Sequence, residues 1–132
     1  MFLGISHIGI AVRNLDEAIK LYATALGIQP GEIHQSPQAG MRAVMFSVGN
    51  AKIELMEPIG TEGPIAKFIE SRGEGVHHIC FEVDDIDKEL DSLSTKGVKL
   101  VDKEVRAGLE GRIAFIHPKA MKGVLVELVQ KA

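Results

Sequence analysis

Apolar positions change period along the first 27 residues. Ile8, Ile10 and Val12 alternate with His7, Gly9 and Ala11, the pattern of a strand with one face inward. From Leu15 the spacing becomes helical, through Ala18, Ile19, Tyr22 and Leu26. Asn14 followed three residues later by Glu17 resembles a capping box, and Gly27 suits a helix stop. A shorter helix is predicted on Ile86, Leu90 and Leu93, closed by Gly97. Strands are predicted over 42–48 and 52–57, then over 98–105, 113–117 and 124–129. Between these groups Pro64 opens a short amphipathic helix with Ile65, Phe68 and Ile69 inward, ended by Ser71-Arg72-Gly73-Glu74-Gly75.

The two groups are copies. Ile5 through Val12 lines up with Val76 through Val83, an offset of 71 residues from His7 to His78. The helix ends keep step at an offset of 70, from Gly27 to Gly97, and the last strands at 73, from Glu54 to Glu127. One domain over 1–132 is therefore expected. It comprises module 1 over about 1–60, a linker helix over about 61–75 and module 2 over about 76–132, with both long helices covering a sheet.

Composition narrows the function class. With 45% hydrophobic and 25% charged residues in 132, a single packed core is expected. The net charge of −3, without a Lys/Arg run, argues against nucleic acid as a partner. No apolar stretch approaches the roughly 20 residues of a membrane helix, and Met1-Phe2-Leu3-Gly4 has no signal-peptide character. No membrane partner and a cytoplasmic location are expected. Cys80 is the only cysteine, which excludes an intrachain disulfide and fits a reducing compartment.

Against this background four polar residues stand out. Glu54 lies between Ile53 and Leu55, and Glu127 between Val126 and Leu128, each an acid in an apolar strand. A buried unpaired carboxylate costs several kcal/mol or more, and a cation shared with imidazoles is one remedy. His7 and His78 open the same two modules, 47 and 49 residues before these acids. Singly, each has a bland reading, a structural histidine or a solvent-facing edge acid. A bland reading must, however, explain the same coincidence in both copies. One divalent cation held by His7, Glu54, His78 and Glu127 is therefore expected. His77 points away from His78, His34 lies in a loop-like stretch, and His117 precedes Pro118 in a turn, so none is a ligand candidate. Cys80 shares the His78 face but reads as a small buried thiol. Asp84, Asp85 and Asp87 suit a helix start.

The paired modules, each with His early and Glu late, resemble the vicinal oxygen chelate superfamily over nearly the whole chain. Its methylmalonyl-CoA epimerases are resembled more closely. The motifs are SHIGIAV at 6–12, IELMEP at 53–58, GPIAKFIESRGEGVHHI at 63–79, and FIHPK at 115–119 leading to GVLVEL at 123–128. The resemblance implies an α+β fold of two βαβββ modules in tandem, forming a curved half-barrel sheet around the metal, and a homodimer. It places ligands at His7, Glu54, His78 and Glu127, with Glu54 at a position that is Gln in some members. The implied activity is epimerisation of (R)- and (S)-methylmalonyl-CoA, a small-molecule CoA thioester, by α-proton removal and return through a metal-stabilised enolate. Glu127 and Glu54 are the acid–base candidates, against a reading of both as ligands only; some members carry a glutamate where this chain has Ala43, which leaves the second acid–base group open between Glu54 and a metal-bound water. Cobalt is the first choice of cation, with zinc, nickel, manganese and magnesium compatible with the same donors. CoA phosphates would favour basic groups such as Lys119, Lys122, Arg106 and Arg112 in the late loops, against a preferred reading of these as solvated surface charges, and by composition the glycine-bearing loop 107–111 is a candidate flap. Competing readings on the same scaffold are a glyoxalase I-type lyase acting on a glutathione hemithioacetal and a metal-free drug-binding protein.

Overall fold

The computed structural model describes Met1–Ala132. In chain order it contains β1 (Phe2–Ala11), α1 (Leu15–Leu26), β2 (Pro30–Ser36), β3 (Met41–Val48), β4 (Ala51–Pro58), α2 (Pro64–Arg72), β5 (Gly75–Val83), α3 (Ile86–Thr95), β6 (Arg106–Ala107), β7 (Gly111–Ile116) and β8 (Leu125–Lys131). A single 3-10 turn, Pro118–Met121, precedes β8. None of the helices is long and apolar enough to cross a membrane. The chain forms two compact units, His7–His77 and a discontinuous one made of Met1–Ser6 with His78–Ala132.

In the unit His7–His77 the strand order is β2-β3-β4-β1. β1 runs parallel to β4, while β3 pairs antiparallel with β4 and β2 with β3. Strand alternation sorts the side chains onto two faces. Ile10, Val12, Val44, Phe46, Ile53 and Leu55 go to the face covered by α1, through Leu15, Ala18, Ile19 and Tyr22. Ala11, Ala43 and Met56 go to the other, packed by Ile65 of α2 with Phe68 and Ile69 around it. The helix expected as a linker thus contributes to this unit's core. The N-terminus of α1 is fixed twice: Asn14 Oδ1 accepts from the Glu17 amide at 3.0 Å, and Glu57 Oε2 accepts from the Leu15 amide at 2.8 Å. Gly27 ends the helix in the left-handed region, at φ 67°.

In the other unit the order is β1-β5-β8-β7-β6. The Asp84 amide donates to Met1 O at 3.2 Å, and the Phe2 and Phe81 rings meet edge to face at 5.4 Å. β5 and β8 are parallel, and β7 pairs antiparallel with β8. α3 starts at Asp85, whose carboxylate accepts from the Lys88 amide. It buries Ile86 and Leu90 against Val83, Ala114, Ile116, Val126 and Leu128.

Two sequence expectations differ from the structure. The segment 98–105 is not a strand: only an isolated bridge, Leu100 with Ile116, occurs there, and β6 is confined to Arg106–Ala107. Val98, Leu100 and Val105 pack on the core from a loop. The Asp102 carboxylate accepts from the Phe115 amide at 3.0 Å, where a regular ladder would use a backbone carbonyl. Conversely, His34 lies on a strand, β2, rather than in a loop. That strand is almost wholly exposed and polar, so no alternating pattern announces it.

Candidate metal centre

Within the unit His7–His77, the parallel register of β1 and β4 sets Gly9 opposite Glu54 and His7 opposite Lys52. His7 therefore stands one same-face step from Glu54 across the strand pair, and Gly9 puts no side chain between them. His7 Nε2 lies 3.5 Å from Glu54 Oε1, and both residues are buried.

The discontinuous unit repeats this relation. β5 and β8 set Cys80 opposite Glu127 and His78 opposite Leu125. His78 Nε2 lies 3.2 Å from Glu127 Oε1, again with both residues buried. Phe115 on β7 is the partner of Glu127. Its ring meets His78 edge to face at 6.4 Å and lies under the Arg106 guanidinium at 5.2 Å.

A neutral imidazole nitrogen and a carboxylate oxygen both present lone pairs. At these separations they attract only if a proton or a cation lies between them. The mixed N/O donors of each buried pair suit a divalent cation of the first transition row or magnesium.

The remaining candidates have other places. His77 meets the Phe68 ring edge to face at 5.0 Å, and His34 is exposed on β2. His117 caps the 3-10 turn, its Nδ1 accepting from the Lys119 amide at 3.1 Å. Burial, together with Lys99 and Lys119, holds its pKa below the ordinary histidine value. Cys80 is fully buried. Ala43 lies in the apolar cluster with Ala11, Met56 and Ile65. Of the basic groups, Arg112 pairs with Asp87 at 2.9 Å and Arg106 with Asp102 at 3.3 Å. The hydrogen bond from Arg112 holds the Asp87 carboxyl below its usual range. The loop 107–111 is the turn of the β6–β7 hairpin, closed by the Gly108 amide on Gly111 O at 2.7 Å. Lys52 is the residue the sequence alone does not mark. Its place beside His7 depends on a register between strands more than 40 positions apart.

Residues 6–115 match the family model for the glyoxalase/bleomycin resistance protein/dioxygenase superfamily, and the chain belongs to that superfamily. Its α+β architecture of βαβββ modules is the superfamily's fold. Among its relatives is the mitochondrial methylmalonyl-CoA epimerase of Homo sapiens, 40% identical over 128 residues that cover 96% of this chain and 73% of the relative. The crystal structure of methylmalonyl-CoA epimerase from Mycobacterium tuberculosis is 39% identical and superimposes with a TM-score of 0.93, covering 99% of this chain and 89% of that one. A variant of the Streptomyces coelicolor methylmalonyl-CoA epimerase in complex with 2-nitronate-propionyl-CoA is 34% identical, with a TM-score of 0.93 and coverage of 100% and 96%.

Proposed function

We propose that this chain is a metal-dependent isomerase that interconverts (R)- and (S)-methylmalonyl-CoA, with His7, Glu54, His78 and Glu127 holding one divalent cation. The observation that carries the reading is the duplicated buried His–carboxylate pair, at 3.5 Å in one unit and 3.2 Å in the other. The epimerases among its relatives supply the substrate class. When bound, the cation supplies a Lewis acid that lowers the cost of negative charge on the oxygens of a malonyl-type thioester.

The chain's own residues do the rest. His7 and His78 donate neutral Nε2 atoms and so leave the charge of the site to the carboxylates. Inverting one carbon requires a proton acceptor on one side and a donor on the other. Glu127 and Glu54 fill these two roles at their carboxylate oxygens, since Ala43 offers no acid. Apolar Phe115 and Met56 flank the pairs and keep bulk water from the proton in transit. Cobalt is the first choice of native cation. A homodimer in the cytoplasm completes the proposal, on the strength of the family resemblance and the single cysteine.

The test is NMR observation of α-proton loss from methylmalonyl-CoA in deuterated water, before and after chelation. Exchange that stops with the chelator and returns with cobalt is expected. His78→Ala should lose bound metal and exchange together while its circular dichroism stays native. Exchange indifferent to chelation, or full metal and rate in that variant, would overturn the assignment. Turnover of a glutathione hemithioacetal in place of the CoA ester would move the chain to the lyases.

A further inference from the structure

In the unit made of Met1–Ser6 with His78–Ala132, the pairing register sorts the charged residues by face. Phe115 is the partner of Glu127, Arg106 is the partner of Ile113, and Ile113 lies two residues from Phe115. Arg106, Phe115 and Glu127 therefore share one face. His78 joins them, its Nε2 at 3.2 Å from Glu127 and its ring against that of Phe115. Three cationic side chains arise from β6, β7 and β8. Arg112 bonds Asp87 at the start of α3, and Lys131 is answered by Glu82 at 3.7 Å. The third is Arg106. Its guanidinium lies over the Phe115 ring at 5.2 Å, and its Nε approaches Asp102 Oδ1 at 3.3 Å. The second oxygen of Asp102 accepts from the Phe115 amide at 3.0 Å, so one carboxylate ties the arginine to the strand that carries the ring.

A guanidinium presents donors along two edges, and each edge matches a carboxylate or a phosphate. Asp102 takes the Nε edge of Arg106. The Nη1/Nη2 edge has no partner, and more than half of the side chain is exposed. Stacking on Phe115 and the contact with Asp102 fix the fork before any ligand arrives, which reduces the rotamer entropy lost on binding. A solvated surface arginine has neither constraint. The oxyanion that meets this edge follows from its place, because a single aromatic ring separates the guanidinium from the His78–Glu127 pair. With the thioester carbonyl at that pair, the acyl carboxylate is the anion close by, whereas the phosphates of CoA lie a whole pantetheine arm away. We infer that Arg106, oriented by Asp102 and Phe115, is a specificity-determining residue that binds the free carboxylate of the acyl group, so that the site selects malonyl-type thioesters over simple acyl thioesters. The inference deepens the isomerase reading and rests on it for the location of the thioester.

The test uses malonyl-CoA, propionyl-CoA, which has a methyl group in place of the carboxylate, and the malonyl thioester of N-acetylcysteamine, which lacks the phosphates. Their affinities for the cobalt-loaded protein are measured by calorimetry, with metal content and circular dichroism determined in parallel. Arg106→Met keeps an apolar stem over Phe115 and removes the fork. It should weaken both malonyl ligands about 10- to 100-fold, the loss of one charge-assisted contact. Propionyl-CoA affinity and metal content should stay at wild-type values, and Arg106→Lys should recover part of the loss for both malonyl ligands. Equal weakening of malonyl-CoA and propionyl-CoA, with the short malonyl thioester unaffected, would assign Arg106 to the CoA phosphates and overturn the inference. Unchanged malonyl affinities, or loss of metal or of the native fold in Arg106→Met, would overturn it as well. Because binding is read without turnover, a protein that holds both malonyl ligands through Arg106 yet never exchanges the α-proton of methylmalonyl-CoA would overturn the isomerase reading alone.

Discussion

Glu57 joins the start of α1 to the sheet, and its removal gives a loss of stability that can be estimated. One carboxylate oxygen accepts from the Leu15 amide at 2.8 Å and the other from Arg42 Nη1 at 3.0 Å. Leu15 is fully buried, so in Glu57→Ala its amide is cut off from water and from any acceptor, at about 1–3 kcal/mol. Loss of a negative charge at a helix N-terminus adds about 0.3–1 kcal/mol. The Arg42 pair is partly solvated and adds little more. A total of about 3 kcal/mol follows. An unfolding entropy of about 2.1 cal/mol/K per residue gives about 0.28 kcal/mol/K for 132 residues, so Tm should fall by about 10 °C. Scanning calorimetry at pH 7 reads this directly. Glu57→Gln keeps an oxygen for Leu15 and should lose only about a third as much. Metal content should be unaffected in both, since Glu57 faces α1 and Glu54 faces away from it. A fall of less than about 3 °C in Glu57→Ala, or a Gln variant as unstable as the Ala one, would refute the account.

The depressed pKa of His117 sets a pH dependence. Below about pH 6.5 the unfolded chain takes up a proton that the folded one resists. The contribution of this group to stability is therefore complete above that value and is lost as pH falls through it to the folded pKa. An NMR titration should place His117 below 6.5 and Lys99→Met should raise it; a midpoint at or above 6.5 in the wild type would contradict the structure. Gly111 has φ 154°, and a Cβ there would collide with the backbone carbonyl oxygen of Gln130. Gly111→Ala should thus cost about 2 kcal/mol or more in urea unfolding and weaken amide protection where β7 meets β8. Wild-type values for both would show that the hairpin relaxes freely.

Features with a local cause could be read from the chain. Asn14, Glu17 and Gly27 delimit α1 because caps act within one turn, and Leu15 through Leu26 keep one helical period. The four polar residues emerged from duplication: the same misfit, an acid in an apolar strand with a histidine upstream, occurs twice. What depended on distant pairing stayed hidden. Along 98–105, apolar residues satisfy burial as a loop draped on the core, and composition cannot tell that from a strand. β2 buries no side chain, so nothing in its polar sequence signals the backbone pairing that defines it. Lys52 resembles any surface lysine until the β1–β4 register sets it beside His7.

The membership of Met1–Ser6 in the unit completed by His78–Ala132 bears on how the chain is made. A ribosome delivers His7–His77 as one uninterrupted stretch, which can close as it emerges. The first six residues must wait for the last strand, β8, before their own unit exists, a closure spanning nearly the full sequence and correspondingly slow. The repeat boundary is therefore a poor place to divide the gene. A fragment beginning at β5 would lack the β1 residues that cover it and would present a bare strand edge, an invitation to aggregate.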